Sequence, residues 1–126
     1  MRKNIKTDKL IIAVDFDGTL CEYGFPSIGE QTESQKKLME TLKTLQHDGH
    51  KLILWTNRGD NENYPALTQA IQWCKDRGLE FDAINENLPG QKKLSGYSPK
   101  IMADIYIDDL AVNVTNWEDF LLWVVK

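Results

Sequence analysis

The feature that most constrains this chain is the run LIIAV at residues 10–14, which is apolar at every position and passes directly into Asp15-Phe16-Asp17. A strand that is apolar on both faces has to be covered on both faces, and that is the situation of an inner strand in a parallel sheet flanked by helices. The rest of the chain fits such a sheet, because strand-like and helix-like stretches alternate. Residues 33–47 carry Leu38, Leu42 and Leu45 at helical spacing, with Asp48-Gly49 as a stop signal. Residues 51–56 (KLILWT) read as a second strand. A helix is expected from near Pro65 to Gly78, burying Leu67, Ala70, Ile71 and Cys74. Residues 81–85 (FDAIN) and 104–109 (DIYIDD) read as further strands. The closing TNWEDFLLWVVK reads as a last helix with Thr115 or Asn116 as its cap and an apolar face against the sheet or a second subunit. The pattern predicts an α/β fold around a mainly parallel sheet.

Bulk properties narrow the function classes. The chain has 126 residues, 41% apolar and 27% charged, with a net charge of −4. These values fit a single domain spanning 1–126. No general attraction to nucleic acid or to an anionic membrane follows from that balance. Residues 10–14 are too short for a signal-peptide core or a membrane span. Cys21 and Cys74 lack the spacing of a disulfide or zinc framework, so both are expected as reduced, packed thiols in a cytoplasmic protein.

Ligands of parallel α/β sheets bind outside the carboxyl ends of the strands. Three of the expected strands end there in polar groups: Asp15 with Asp17, Thr56 with Asn57, and Asp108 with Asp109. At strand spacing, Asp15 and Asp17 face one side together while Phe16 turns away. Clustered carboxylates repel one another, and a hard divalent cation such as Mg²⁺ relieves that. An EF-hand loop is a poor alternative, because Gly18 is fourth from Asp15 rather than sixth.

Taken together, DFDGTL at 15–20, LILWTN at 52–57, SPK at 98–100 and DIYIDD at 104–109 resemble, in order and spacing, the four signatures of the haloacid dehalogenase superfamily of phosphohydrolases. The resemblance implies a three-layer Rossmann-like fold and a Mg²⁺-dependent phosphatase. Asp15 would be the nucleophile, forming an aspartyl-phosphate, and Asp17 the general acid and base. Thr56 would bind the transferring phosphoryl group, with Asn57 and Arg58 as further substrate contacts. Lys100 would hold Asp15 and offset phosphate charge, Lys92 and Lys93 being the other lysines ahead of the last strand. Asp15, the main-chain carbonyl of Asp17 and one of the acidic pair would hold the metal, either Asp109 with Asp108 as its hydrogen-bonding partner or the reverse. Asn113 stands where the family often has an acid.

Residues 21–30 (CEYGFPSIGE) correspond to the flap over the site, where Tyr23 and Phe25 either touch a leaving group or pack the flap itself. The intervals between signatures leave no room for a cap domain. An open site of that kind suits a phosphorylated substrate that is large, such as a nucleic-acid end or a phosphoprotein, or a small one enclosed by a neighbouring subunit. The irregular stretch 86–99 either borders the site or is a solvated connector. Phosphotransfer to an acceptor other than water is the neighbouring possibility. A noncatalytic phosphate-binding or receiver-like regulatory module is the alternative from another class.

Overall fold

Alternating side chains sort the apolar runs onto the two faces of one sheet. The computed structural model describes residues 8–90 and 101–108. Their elements are β1 (Ile11–Val14), α1 (Glu33–His47), β2 (Lys51–Leu54), α2 (Ala66–Asp76), β3 (Ala83–Ile84) and β4 (Ile105–Ile107). The sheet is all parallel, in the order β3-β2-β1-β4. This is the α/β fold expected from the sequence.

On one face Ile12, Val14, Leu52, Leu54 and Ile107 pack against Leu38 and Leu42 of α1 and Ala70 and Cys74 of α2. The other face presents Ala13, Ile53 and Ala83 to Ile101, Leu88 and Ala103. Both described helices therefore cover the same face. That follows from handedness: β1, β2 and β3 step in one direction across the sheet, and right-handed crossovers in one direction stay on one side. The chain then returns past β1 to place β4 on its far edge. The step reverses between β1 and β4, which is the switch point where such sheets open a crevice. Within residues 18–55 the flap, α1 and β2 follow one another, with no cap domain among them. The helix expected at 115–126 lies outside the described residues.

Local chemistry sets the ends of the elements. Thr32 and Gln35 form a reciprocal capping box at the start of α1, a T-x-x-Q pattern that the helical spacing of the leucines overshadows in the sequence. Gly49 and Gly78, with φ of 104° and 85°, let the chain turn off the two helices. The strands are shorter than the apolar runs suggest, although the bonding continues past them. Trp55 N–H donates to Val14 O at 2.8 Å, and Asp82 and Asn85 donate to Leu52 and Leu54 at 2.8 and 2.7 Å. At the amino ends, side chains take the first backbone donors: Leu10 N–H donates to His50 Nδ1, Ile11 to Asp104 and Leu52 to Asp82. Among the described residues no helix is long and apolar enough to cross a membrane.

Cys21 and Cys74 are buried and unpaired. Burial pushes the Cys74 thiol up to about 12. Burial, reinforced by the charge of Asp17, pushes Cys21 up to about 11. Both stand above the ordinary 9.0, so their contribution to stability is complete below about pH 9 and is lost as pH climbs through the folded-state values. The native protein is expected to resist iodoacetamide at neutral pH and to react at both cysteines in guanidinium. Its urea midpoint should fall as the pH is raised above about 9. Rapid alkylation of the native protein would contradict this placement.

Candidate active site

β1 stops at Val14, and the two aspartates lie between it and the turn at residues 18–20. Asp15 N–H donates to Ile107 O at 2.9 Å, carrying the sheet bonding one residue further. Asp15 Oδ1 accepts the Phe16 N–H at 2.7 Å. The chain then turns tightly, Leu20 N–H donating to Phe16 O and Gly18 N–H to Cys21 O. Gly18 is required twice here. Its φ is +80°, and a Cβ would lie 2.7 Å from the ring carbons of Tyr23. Phe16 is fully buried, edge-on to Trp73 at 5.5 Å. The alternation expected of Asp15, Phe16 and Asp17 is thus realised just past the end of β1.

A cavity of about 630 Å³ opens at these strand ends, lined by Asp15, Asp17 and Asp108 with Thr56, Asn57 and Arg58, and with Tyr23, Phe25 and Trp55 among its walls. Asp15 and Asp108 come together because Val14 and Ile107 pair across the switch point. Thr56 is placed from the next strand over. Its N–H donates to Asn85 Oδ1 at 2.8 Å, and its Oγ1 accepts the Arg58 N–H at 3.1 Å. Asn85 holds φ at 53°, a conformation that asparagine tolerates better than most residues. Sequence reasoning does not single out this supporting residue; its one signal is an asparagine closing a strand.

Arg58 departs most from expectation. The sequence presents it as a substrate contact. The structure buries it, at 3% exposure. Nε and Nη2 donate to the two oxygens of Asp17, each at 2.8 Å. Nη1 donates to Pro26 O and Ala66 O, and Nη2 also to Ser27 O. All five guanidinium N–H groups are thereby committed to protein. The cation also lies 5.0 Å from the Phe16 ring centre and 5.3 Å from that of Phe25. The Asp17 carboxylate holds the Arg58 pKa above its ordinary value. Direct substrate binding does not fit this geometry. Arg58 is a positioning residue that joins the Asp17 turn, the flap and the start of α2.

Of the other expected site residues, Lys100 and Asp109 lie outside the described residues, as do Lys92, Lys93 and Asn113. Among the described residues no three His, Cys, Asp or Glu side chains converge closely enough to hold a metal alone. The carboxylate of Asp17 is turned onto Arg58. Asp15 and Asp108 remain as hard oxygen donors on one cavity. That set fits Mg²⁺, which commonly binds through one or two carboxylates and keeps several waters.

Removing one partner of a buried bidentate pair leaves the other charge uncompensated. Arg58→Met is expected to cost about 3 kcal/mol in urea unfolding, the lower end for such a pair because Asp17 keeps some water contact. Arg58→Lys should recover only part, since an ammonium cannot reproduce the planar fork. A loss below about 1 kcal/mol would show that the guanidinium is not the clamp described.

No family model matches the chain, and no curated protein does. Among solved structures, a conserved protein from Bacteroides thetaiotaomicron is similar, with 42% sequence identity, a TM-score of 0.73, and 93% of this chain and 90% of that one covered. Identity of this order over nearly the whole of both chains is a relation of sequence as well as of fold. The chain belongs to the same family as that conserved Bacteroides thetaiotaomicron protein.

Proposed function

We propose that the protein is a Mg²⁺-dependent phosphomonoesterase of the haloacid dehalogenase type, with Asp15 as nucleophile and Asp17 as general acid and base. The observation that carries this reading is the meeting of Asp15, Asp17, Thr56 and Asp108 on one cavity from the ends of three strands. The buried, unpaired thiols suit the reducing cytoplasm proposed for it.

In the first step a carboxylate oxygen of Asp15 forms a bond to phosphorus while the ester P–O bond breaks, and Asp17, entering the step protonated on an oxygen lone pair that Arg58 does not use, gives that proton to the departing alkoxide. In the second, water attacks the aspartyl-phosphate, Asp17 takes a proton from it, and inorganic phosphate leaves. The Phe16 N–H fixes the rotation of the Asp15 carboxylate at the strand end. Arg58 fixes that of Asp17. Each carboxylate oxygen has a second lone pair, so this pairing orients Asp17 without blocking it. The Thr56 oxygen already accepts from the Arg58 backbone, which leaves its proton to donate to a phosphoryl oxygen. Bound Mg²⁺ would be held by Asp15 and Asp108, with Asp109 and the Asp17 carbonyl as the resemblance implies, and supplies charge neutralisation on the phosphoryl group.

The test is hydrolysis of p-nitrophenyl phosphate with Mg²⁺ and with EDTA. Turnover should require the metal and vanish in Asp15→Asn, and Asp17→Asn should lower kcat by roughly 10²–10⁴-fold. Turnover that survives in Asp15→Asn would remove the proposed nucleophile. Phosphate retained on Asp15 from acetyl phosphate without turnover would favour a regulatory module, and transfer to an added alcohol a phosphotransferase.

A further inference from the structure

Large apolar side chains on a protein surface are ordinarily scattered singly. Here they gather. The exposed large hydrophobics among the described residues are Tyr23, Phe25, Trp55, Met102 and Tyr106, at 66, 63, 43, 42 and 37%. Tyr23, Phe25 and Trp55 line the same cavity as Asp15, Asp17 and Asp108. Tyr106 joins them through Trp55, the ring centres 5.6 Å apart and inclined at 65°. Clustered aromatic surface beside a carboxylate-lined cavity has to be explained by what the cavity admits.

These rings are also backed by fixed neighbours. Tyr23 lies over the backbone of Gly18, so close that a methyl group there would collide with it. Phe25 lies against the Arg58 guanidinium, whose donors also hold the carbonyls of Pro26 and Ser27 beside it. Trp55 has Tyr106 at its edge. Rings held in this way present contact area at little further entropic cost when a ligand arrives. Among the described residues lining the cavity the positive charge is that of Arg58, and its N–H groups are all committed. A leaving group carrying further phosphates or carboxylates would find carboxylates there and, among those residues, no uncommitted cation.

We propose that the phosphomonoester taken by this site has a planar aromatic ring in its leaving group, held at the cavity mouth by Tyr23, Phe25 and Trp55; this rests on the phosphomonoesterase reading. The ring chemistry is shared by compact aryl or arylmethyl phosphates and by nucleoside monophosphates. Aliphatic and sugar phosphates lack it.

The experiment compares matched pairs on the full chain with Mg²⁺. Benzyl phosphate and cyclohexylmethyl phosphate have the same kind of ester oxygen and similar size, and differ in the ring. Adenosine 5′-monophosphate and ribose 5-phosphate differ by the nucleobase. In one of the pairs the aromatic member should have the higher kcat/KM by roughly 5- to 10-fold, the effect of one or two ring contacts. The ratio should fall towards 1 in Phe25→Leu and in Tyr23→Leu, both at exposed positions, with circular dichroism checking that each variant is folded. Preference confined to the benzyl pair identifies a compact aryl group, and preference confined to the nucleotide pair a nucleobase. Equal kcat/KM within both pairs, or a ratio unmoved by both substitutions, overturns the proposal while leaving the phosphomonoesterase reading intact. Absence of Asp15-dependent turnover on all four compounds overturns that reading instead. Ring preference is then decided by calorimetric binding of benzylphosphonate against cyclohexylmethylphosphonate, equal affinity refuting it.

Discussion

The pair formed by Arg58 and Asp17 is the interaction on which the mouth of the cavity depends. A guanidinium taken out of water is costly unless each N–H finds an acceptor, and the cost of failing even partly is several kcal/mol. Here the acceptors come from separate pieces of chain: the Asp17 carboxylate after β1, the carbonyls of Pro26 and Ser27 in the flap, and that of Ala66 at the start of α2. Satisfying one residue therefore fixes the relative position of three segments. Lysine could not take its place, having a point charge where the arrangement uses a plane.

The sheet supplies what the arginine cannot, a common origin for those segments. Parallel pairing brings the carboxyl ends of β1, β2 and β4 to one edge, and the strand order reverses direction there, between β1 and β4. The two ends of the sheet are handled differently. At the amino ends His50, Asp82 and Asp104 turn inward to accept strand N–H groups. At the carboxyl ends Asp15, Thr56 and Asp108 face the cavity. Polar residues thus serve structure at one edge and leave the other available for chemistry.

Much of this is readable from residue order. The spacing of Leu38, Leu42 and Leu45 locates α1, and Pro65 and Gly78 bracket α2, because helix formation is dominated by local periodicity and local stop signals. Strand length is less readable. Residues 81–85 resemble a strand throughout, yet β3 is only Ala83–Ile84, with Asp82 and Asn85 continuing the bonding to Leu52 and Leu54 as single hydrogen bonds on either side. The polar strand ends announce the cavity for the same reason that they announce a parallel sheet. The role of Arg58 is not readable, because most of its acceptors are main-chain carbonyls, and a carbonyl leaves no mark on the identity of Pro26, Ser27 or Ala66. Asn85 is legible only in hindsight, through a backbone conformation that its neighbours set.

The hold of Arg58 on the flap carries one more consequence. A covering loop that swings open and shut can test its ligand by whether closure succeeds, and it can pace turnover by how fast it reopens. A loop bonded by two of its carbonyls to a buried cation is already in place before anything binds. For the proposed phosphatase, such a mouth would leave discrimination to the surfaces standing there, as in a lock cut in advance.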